Sequence, residues 1–201
     1  MAEDNLNPSE SLQLIESMIN RAKNRFSEDG HLYLFWGWMV LLCCIVQFVL
    51  IHFFQYRYFY IVWMLTWFAG FYSVFYARRQ KKKRKVKNYA DEIISYVWMV
   101  FLVMALLLSY VIGALSGPGP YYTYIHPIML TLYGMPVFLS GVILRFNALK
   151  IGGIGCWVLA AISPLVAFEY QSLLAAAAMI IAWIRPGYLL REKYKLQESS
   201  Q

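Results

Sequence analysis

Charge is scarce in this chain, and acid scarcest of all. Charged residues make up 14% of its 201 residues against 60% hydrophobic ones, with eleven Asp and Glu facing eighteen Lys and Arg. That is too apolar for a water-soluble domain. No acid lies inside any of the long apolar runs, and the only basic residue that reaches one, Arg185, sits near the end of the last. Ionisable groups within a bilayer are the usual markers of ion pathways and proton relays, so their scarcity disfavours a proton- or sodium-coupled transporter. A passive or lipid-handling one is not disfavoured. The chain also lacks a His-Glu-x-x-His pair for zinc, paired intramembrane aspartates, a Walker loop, a dinucleotide fingerprint and a nucleophile elbow. No catalytic residue is nominated and no cofactor is required, which leans against an enzyme. Of three cysteines, Cys43 and Cys44 are adjacent in one apolar run and Cys156 lies in another, so no disulfide framework is indicated. The first thirty residues have neither the charged start nor the short apolar core and cleavage site of a signal peptide, and insertion is expected to rely on the first apolar run.

What the chain does have is apolar length, with a mean hydropathy of +0.49, and one dense basic stretch. Residues 78–87 read RRQKKKRKVK, placing Arg78, Arg79, Lys81, Lys82, Lys83, Arg84, Lys85 and Lys87 between two apolar runs. Such a cluster does not cross a bilayer and stays on the cytoplasmic side, so it orients what precedes and follows it. Around it the sequence predicts an all-α integral membrane protein with six transmembrane helices in three hairpins. The spans fall at about 33–54, 58–77, 93–115, 125–144, 151–168 and 170–190, each near the 20 residues a crossing needs. Both termini are then cytoplasmic, and so is every Lys and Arg except Arg57, as the positive-inside rule demands. The eight basic residues of the loop, 78–92, are expected to contact anionic head groups. Nucleic acid is not an expected partner.

The sixth span is the irregular one. Residues 172–184 supply only about 20 Å of apolar helix at 1.5 Å per residue, short of roughly 30 Å of hydrocarbon. Either Arg185 snorkels from a helix that starts early, or the helix kinks at Pro186 and continues through Tyr188, Leu189 and Leu190. In spans four to six, Gly134 and Gly141, then Gly152, Cys156 and Ala160, then Ala175 to Ala178 with Ala182 form faces of small residues. Such faces let helix backbones approach closely in lipid, so these three spans are expected to be the tighter half. Trp38, Trp98 and Trp157 recur at nearly equal spacing near the inner starts of the odd spans, which either common ancestry of the hairpins or interfacial Trp placement explains.

Outside the spans, residues 1–30 are predicted as a cytoplasmic segment and 191–201 as a tail. Asn7 as N-cap and Pro8 at the first helical position open a helix to about Phe26. Its stripe of Leu12, Ile15, Ile19, Ala22 and Phe26 either lies on the membrane or bundle surface or, through residues 8–26, meets a cytoplasmic protein partner. At the outer ends of the spans the topology gathers His52, Arg57, His126 and Glu169. His52, His126 and Glu169 are of the types that ligate metal, and two His ligate haem, whereas a fixed Arg57 charge opposes a cation and pairs with Glu169 instead. The alternatives are a metal site and a hydrogen-bonded cap.

Phe35-Trp36-Gly37-Trp38, the run Tyr133-Gly134-Met135-Pro136 through Gly141, the stretch from Leu149 to Trp157, and Pro186-Gly187-Tyr188-Leu189-Leu190 resemble an uncharacterised family of small bacterial multi-span membrane proteins. The resemblance covers nearly the whole chain and implies a bacterial inner (cytoplasmic) membrane location. It supplies no catalytic residues. The expected function is a non-enzymatic regulatory or scaffolding role exerted through the cytoplasmic face. The alternatives are a transporter or channel for an uncharged or lipidic solute and, third, a haem- or metal-binding membrane protein.

Overall fold

The computed structural model describes residues 30–83, 89–115 and 121–198, all of them helix or short connection and none of them strand. The amphipathic segment 8–26 lies outside the described residues. Six helical stretches are long and apolar enough to cross a membrane. The first is α1 (Gly30–His52). A 3-10 segment, Phe59–Trp63, leads into α2 (Met64–Lys83), followed by α3 (Tyr89–Leu115) and α4 (Tyr122–Ile143). Next is α5 (Asn147–Ile162), closed by a 3-10 turn at Ser163–Leu165. The last stretch joins α6 (Phe168–Met179) through a π-helical turn, Ile180–Ile184, to α7 (Arg185–Glu198).

Two boundaries moved for identifiable reasons. The basic stretch is not wholly a loop: α2 continues through Arg78 and Arg79 to Lys83, because Arg, Gln and Lys are good helix formers and nothing before residue 83 breaks the backbone ladder. The sixth span starts at Phe168 and continues past Pro186 through Tyr188, Leu189 and Leu190, as the second sequence alternative has it. It runs 25 residues, Phe168–Glu192, about 37 Å at 1.5 Å per residue. Pro186 has no N–H for the carbonyl four residues back, and the wider π turn immediately before it carries the helix past that missing bond.

Packing is uneven. The core draws Val40, Leu41 and Cys44 from α1, Leu130 and Val137 from α4, Leu149 and Cys156 from α5, and Ala178 and Ala182 from the last stretch. The tight body is therefore α1, α4, α5 and α6–α7, and not spans four to six alone. The most extensive helix pair is α4 with α5, and α1 lies along α6. Two glycines set these distances. A Cβ on Gly134 would overlap the indole of Trp157, and one on Gly152 would lie 2.7 Å from the Cα of Ala182. The small faces of spans four to six are buried, including Gly152, Cys156 and Ala160, apart from Ala177, which is half-buried. Trp183, in the π turn, joins the body together: it stacks on Tyr33 at 4.3 Å and meets Trp98 of α3 edge-on at 5.1 Å.

The other two spans are peripheral. In Phe59–Tyr76 only Ala69 is buried and in Glu92–Leu115 only Ile112, whereas the last stretch buries residues along most of its length. α3 packs chiefly on α4, and α2 is tied to α1 by the Trp36 indole, which donates to the Ser73 hydroxyl at 2.8 Å. Outward faces this apolar are stable only against hydrocarbon or another apolar surface.

Candidate functional site

The helices alternate in direction, so the end of α1 and the starts of the second, fourth and sixth stretches meet at one end of the bundle, opposite the basic residues. This aromatic end holds all four candidate residues, but it does not bring all four together. The His52 Nδ1 lies 3.1 Å from a Glu169 carboxylate oxygen, joining the last residue of α1 to the first turn of α6. Phe48, one turn earlier on α1, stacks nearly parallel to the imidazole at 5.2 Å, and Tyr170 lies 6.4 Å from the imidazole and 6.0 Å from Phe48. Both members of the pair remain about a third exposed, so the contact is worth at most about 1 kcal/mol. The partner of Glu169 is thus His52 and not Arg57.

Arg57 stands apart. It is exposed, in the turn between α1 and the 3-10 segment, and among the described residues it has no ion-pair partner. The turn is well defined: Gln55 takes a left-handed φ of 45°, and the Tyr56 N–H donates to the Leu50 carbonyl at 3.0 Å.

His126 is the surprise. Its ring is 7% exposed, and neither nitrogen has a hydrogen-bond partner. It packs edge-on to Trp63 at 6.3 Å and to Phe168 at 5.9 Å, beneath a ring cluster in which Phe59, Tyr122 and Phe168 lie 4.8–5.7 Å apart. The sequence places His126 at an interface because the apolar run of its span begins at residue 125. The helix in fact begins at Tyr122 and carries the imidazole one turn inward. Among the described residues no three His, Cys, Asp or Glu side chains come close enough to hold a metal ion, so His52, His126 and Glu169 do not form a common ligand set.

Two further residues belong to this end and were not singled out from sequence. Trp63 donates its indole N–H to the side-chain oxygen of Gln47 at 2.8 Å, satisfying an amide that is 1% exposed. Gln171, at the start of the sixth span, is buried on α6, where its Oε1 has no partner. An uncharged polar residue in an apolar stretch was the available signal. Its partner was not, since Gln47 and Trp63 come from different spans.

At the basic end, Arg78 and Arg79 are exposed on α2, and the Arg79 guanidinium lies 4.5 Å over the Phe75 ring. Lys81, Lys82 and Lys83 follow on the last turn of α2. Arg84, Lys85 and Lys87 lie outside the described residues. No family model, curated protein or solved structure matches the chain.

Proposed function

We propose that this chain is a non-enzymatic scaffold of the bacterial inner membrane, with both termini and the basic segment on the cytoplasmic side. It works by presenting that segment to anionic lipid and to cytoplasmic partners. The observation that carries the reading is the contrast between the two parts of the fold. The body is closed by tight contacts at Gly134, against the Trp157 indole, and at Gly152, against the Ala182 main chain, while the basic residues Arg78 and Arg79 stand on α2, a helix hardly embedded in that body. A transporter needs a polar path between two alternately open states, and small residues interlocked against backbone resist such sliding. A helix end that carries the exposed Arg78 and Arg79 and then Lys81, Lys82 and Lys83 beside an apolar span instead fits attraction to an anionic surface, about 1 kcal/mol per residue, screened over roughly 10 Å at 0.1 M salt.

The test is reconstitution into vesicles with and without phosphatidylglycerol. Replacement of Lys81, Lys82, Lys83, Arg84 and Lys85 by Gln is expected to abolish the enrichment of anionic lipid around the protein and its dependence on salt. Unchanged enrichment would reduce the segment to an orientation signal. Solute flux through wild-type proteoliposomes would replace the scaffold reading by the transport one.

A further inference from the structure

The pairing of α1 with α2 leaves a groove of about 530 Å3 open to the side of the bundle, the size of many small-ligand sites. Its lining is apolar along its whole length, from Tyr56 and Tyr58 at the end near the turn to Met39, Leu42 and Phe68 at the far end, and it is shallow, with Leu42 and Phe68 themselves exposed. Along α1 it extends from Leu50 to Met39, about 16 Å at 1.5 Å per residue. That is close to half of the roughly 30 Å hydrocarbon thickness, the depth of a single leaflet.

The end at the turn is what identifies the occupant. Tyr56 and Tyr58 line the groove there, and Arg57 between them, not itself a lining residue, is an exposed cation with no ion-pair partner among the described residues. We propose that the groove and Arg57 form a binding site for one phospholipid, with an acyl chain between α1 and α2 and the phosphate on the guanidinium. An arginine offers a planar fork of donors that matches phosphate oxygens, and tyrosine hydroxyls beside it add further donors. A second copy of the chain is a poorer occupant on the same grounds. Among the described residues the only acid at this end is Glu169, and His52 already engages it, so a protein partner of this sequence would leave the Arg57 charge uncompensated. The site is independent of the scaffold proposal and lies at the opposite end from the basic segment.

The experiment uses the full-length chain purified in detergent and loaded with phosphatidylglycerol that carries a photoreactive diazirine at one acyl terminus. Native mass spectrometry is expected to show one lipid per chain, and irradiation to label Met39, Leu42 or Phe68. Arg57→Ala is expected to lower lipid retention at least tenfold, and Arg57→Lys to restore part of it. Val46→Trp, which fills the groove, is expected to remove the labelling of Met39, Leu42 and Phe68 while leaving the melting temperature in place. Diacylglycerol with the same chains should compete poorly, and inorganic phosphate should not displace the lipid. Labelling spread equally over Met99, Leu102 and Leu106 of α3 would mean that the lipid is only bulk solvent. Equal retention by Arg57→Ala, or equal competition by diacylglycerol, would remove the phosphate site. A dimeric mass dispersed by Val46→Trp would assign the groove to a second copy.

Discussion

Replacing Gly152 by Ala tests whether backbone contact really sets the spacing of the body. The added Cβ would meet the Ala182 Cα at 2.7 Å and the Ala182 Cβ at 3.3 Å. Carbon atoms rest at about 3.5–4.0 Å, so α5 and the π turn must part by about 1 Å. The obstacle is main chain, which has no rotamer to yield. Overpacking of this kind costs about 1–3 kcal/mol, offset by up to about 1 kcal/mol gained when alanine replaces glycine in a helix. Gly113 on α3 is the internal control, since a Cβ there meets nothing within 4 Å and only the helix gain remains. The propensity term cancels between the two, leaving Gly152→Ala less stable than Gly113→Ala by about 1–3 kcal/mol. For a chain of this size that separates the melting temperatures by roughly 2–12 °C. Thermal unfolding in one detergent at one scan rate, followed by intrinsic fluorescence, reads the difference. Coincident melting curves would refute the claim that α5 and the last stretch are locked by their backbones.

Trp63→Phe should cost about 1–3 kcal/mol by leaving the buried Gln47 oxygen unpaired, and adding Gln47→Leu should recover most of it; additive losses in that thermal double-mutant cycle would contradict the bond. Arg145 caps α4 with a left-handed φ of 52°, while the Phe146 and Arg145 N–H groups close back on Gly141 and Val142 at 2.9 and 3.1 Å. Arg145→Gly should therefore raise the melting temperature, by the equivalent of about 1 kcal/mol, and a fall would show that the side chain matters more than the turn. The three native cysteines are buried, so an impermeant thiol reagent on intact cells should report only introduced sites. Gly119→Cys is expected to react and Lys83→Cys not; the reverse pattern would invert the proposed orientation.

Much of this protein is written locally. A run of about 20 apolar residues predicts a span because the helix satisfies its own backbone and the bilayer rewards each side chain separately. This is why six crossing-length helices were legible before any neighbour was known, and why the small residues of α5 could be named as a packing face. The same locality explains the errors at the ends. Helix propensity carried α2 through Arg78 to Lys83, and α4 began early enough to take His126 inward. What the sequence could not determine was which stretches meet. That α1 joins the tight body, that Glu169 takes His52 and leaves Arg57 alone, and that Trp63 satisfies Gln47 are contacts between residues 16 or more positions apart. Apolar helices are nearly interchangeable partners in a linear reading. Only the tertiary structure decides among them, because steric fit at Gly134 and Gly152 and the pairing of buried polar groups depend on where every other helix lies.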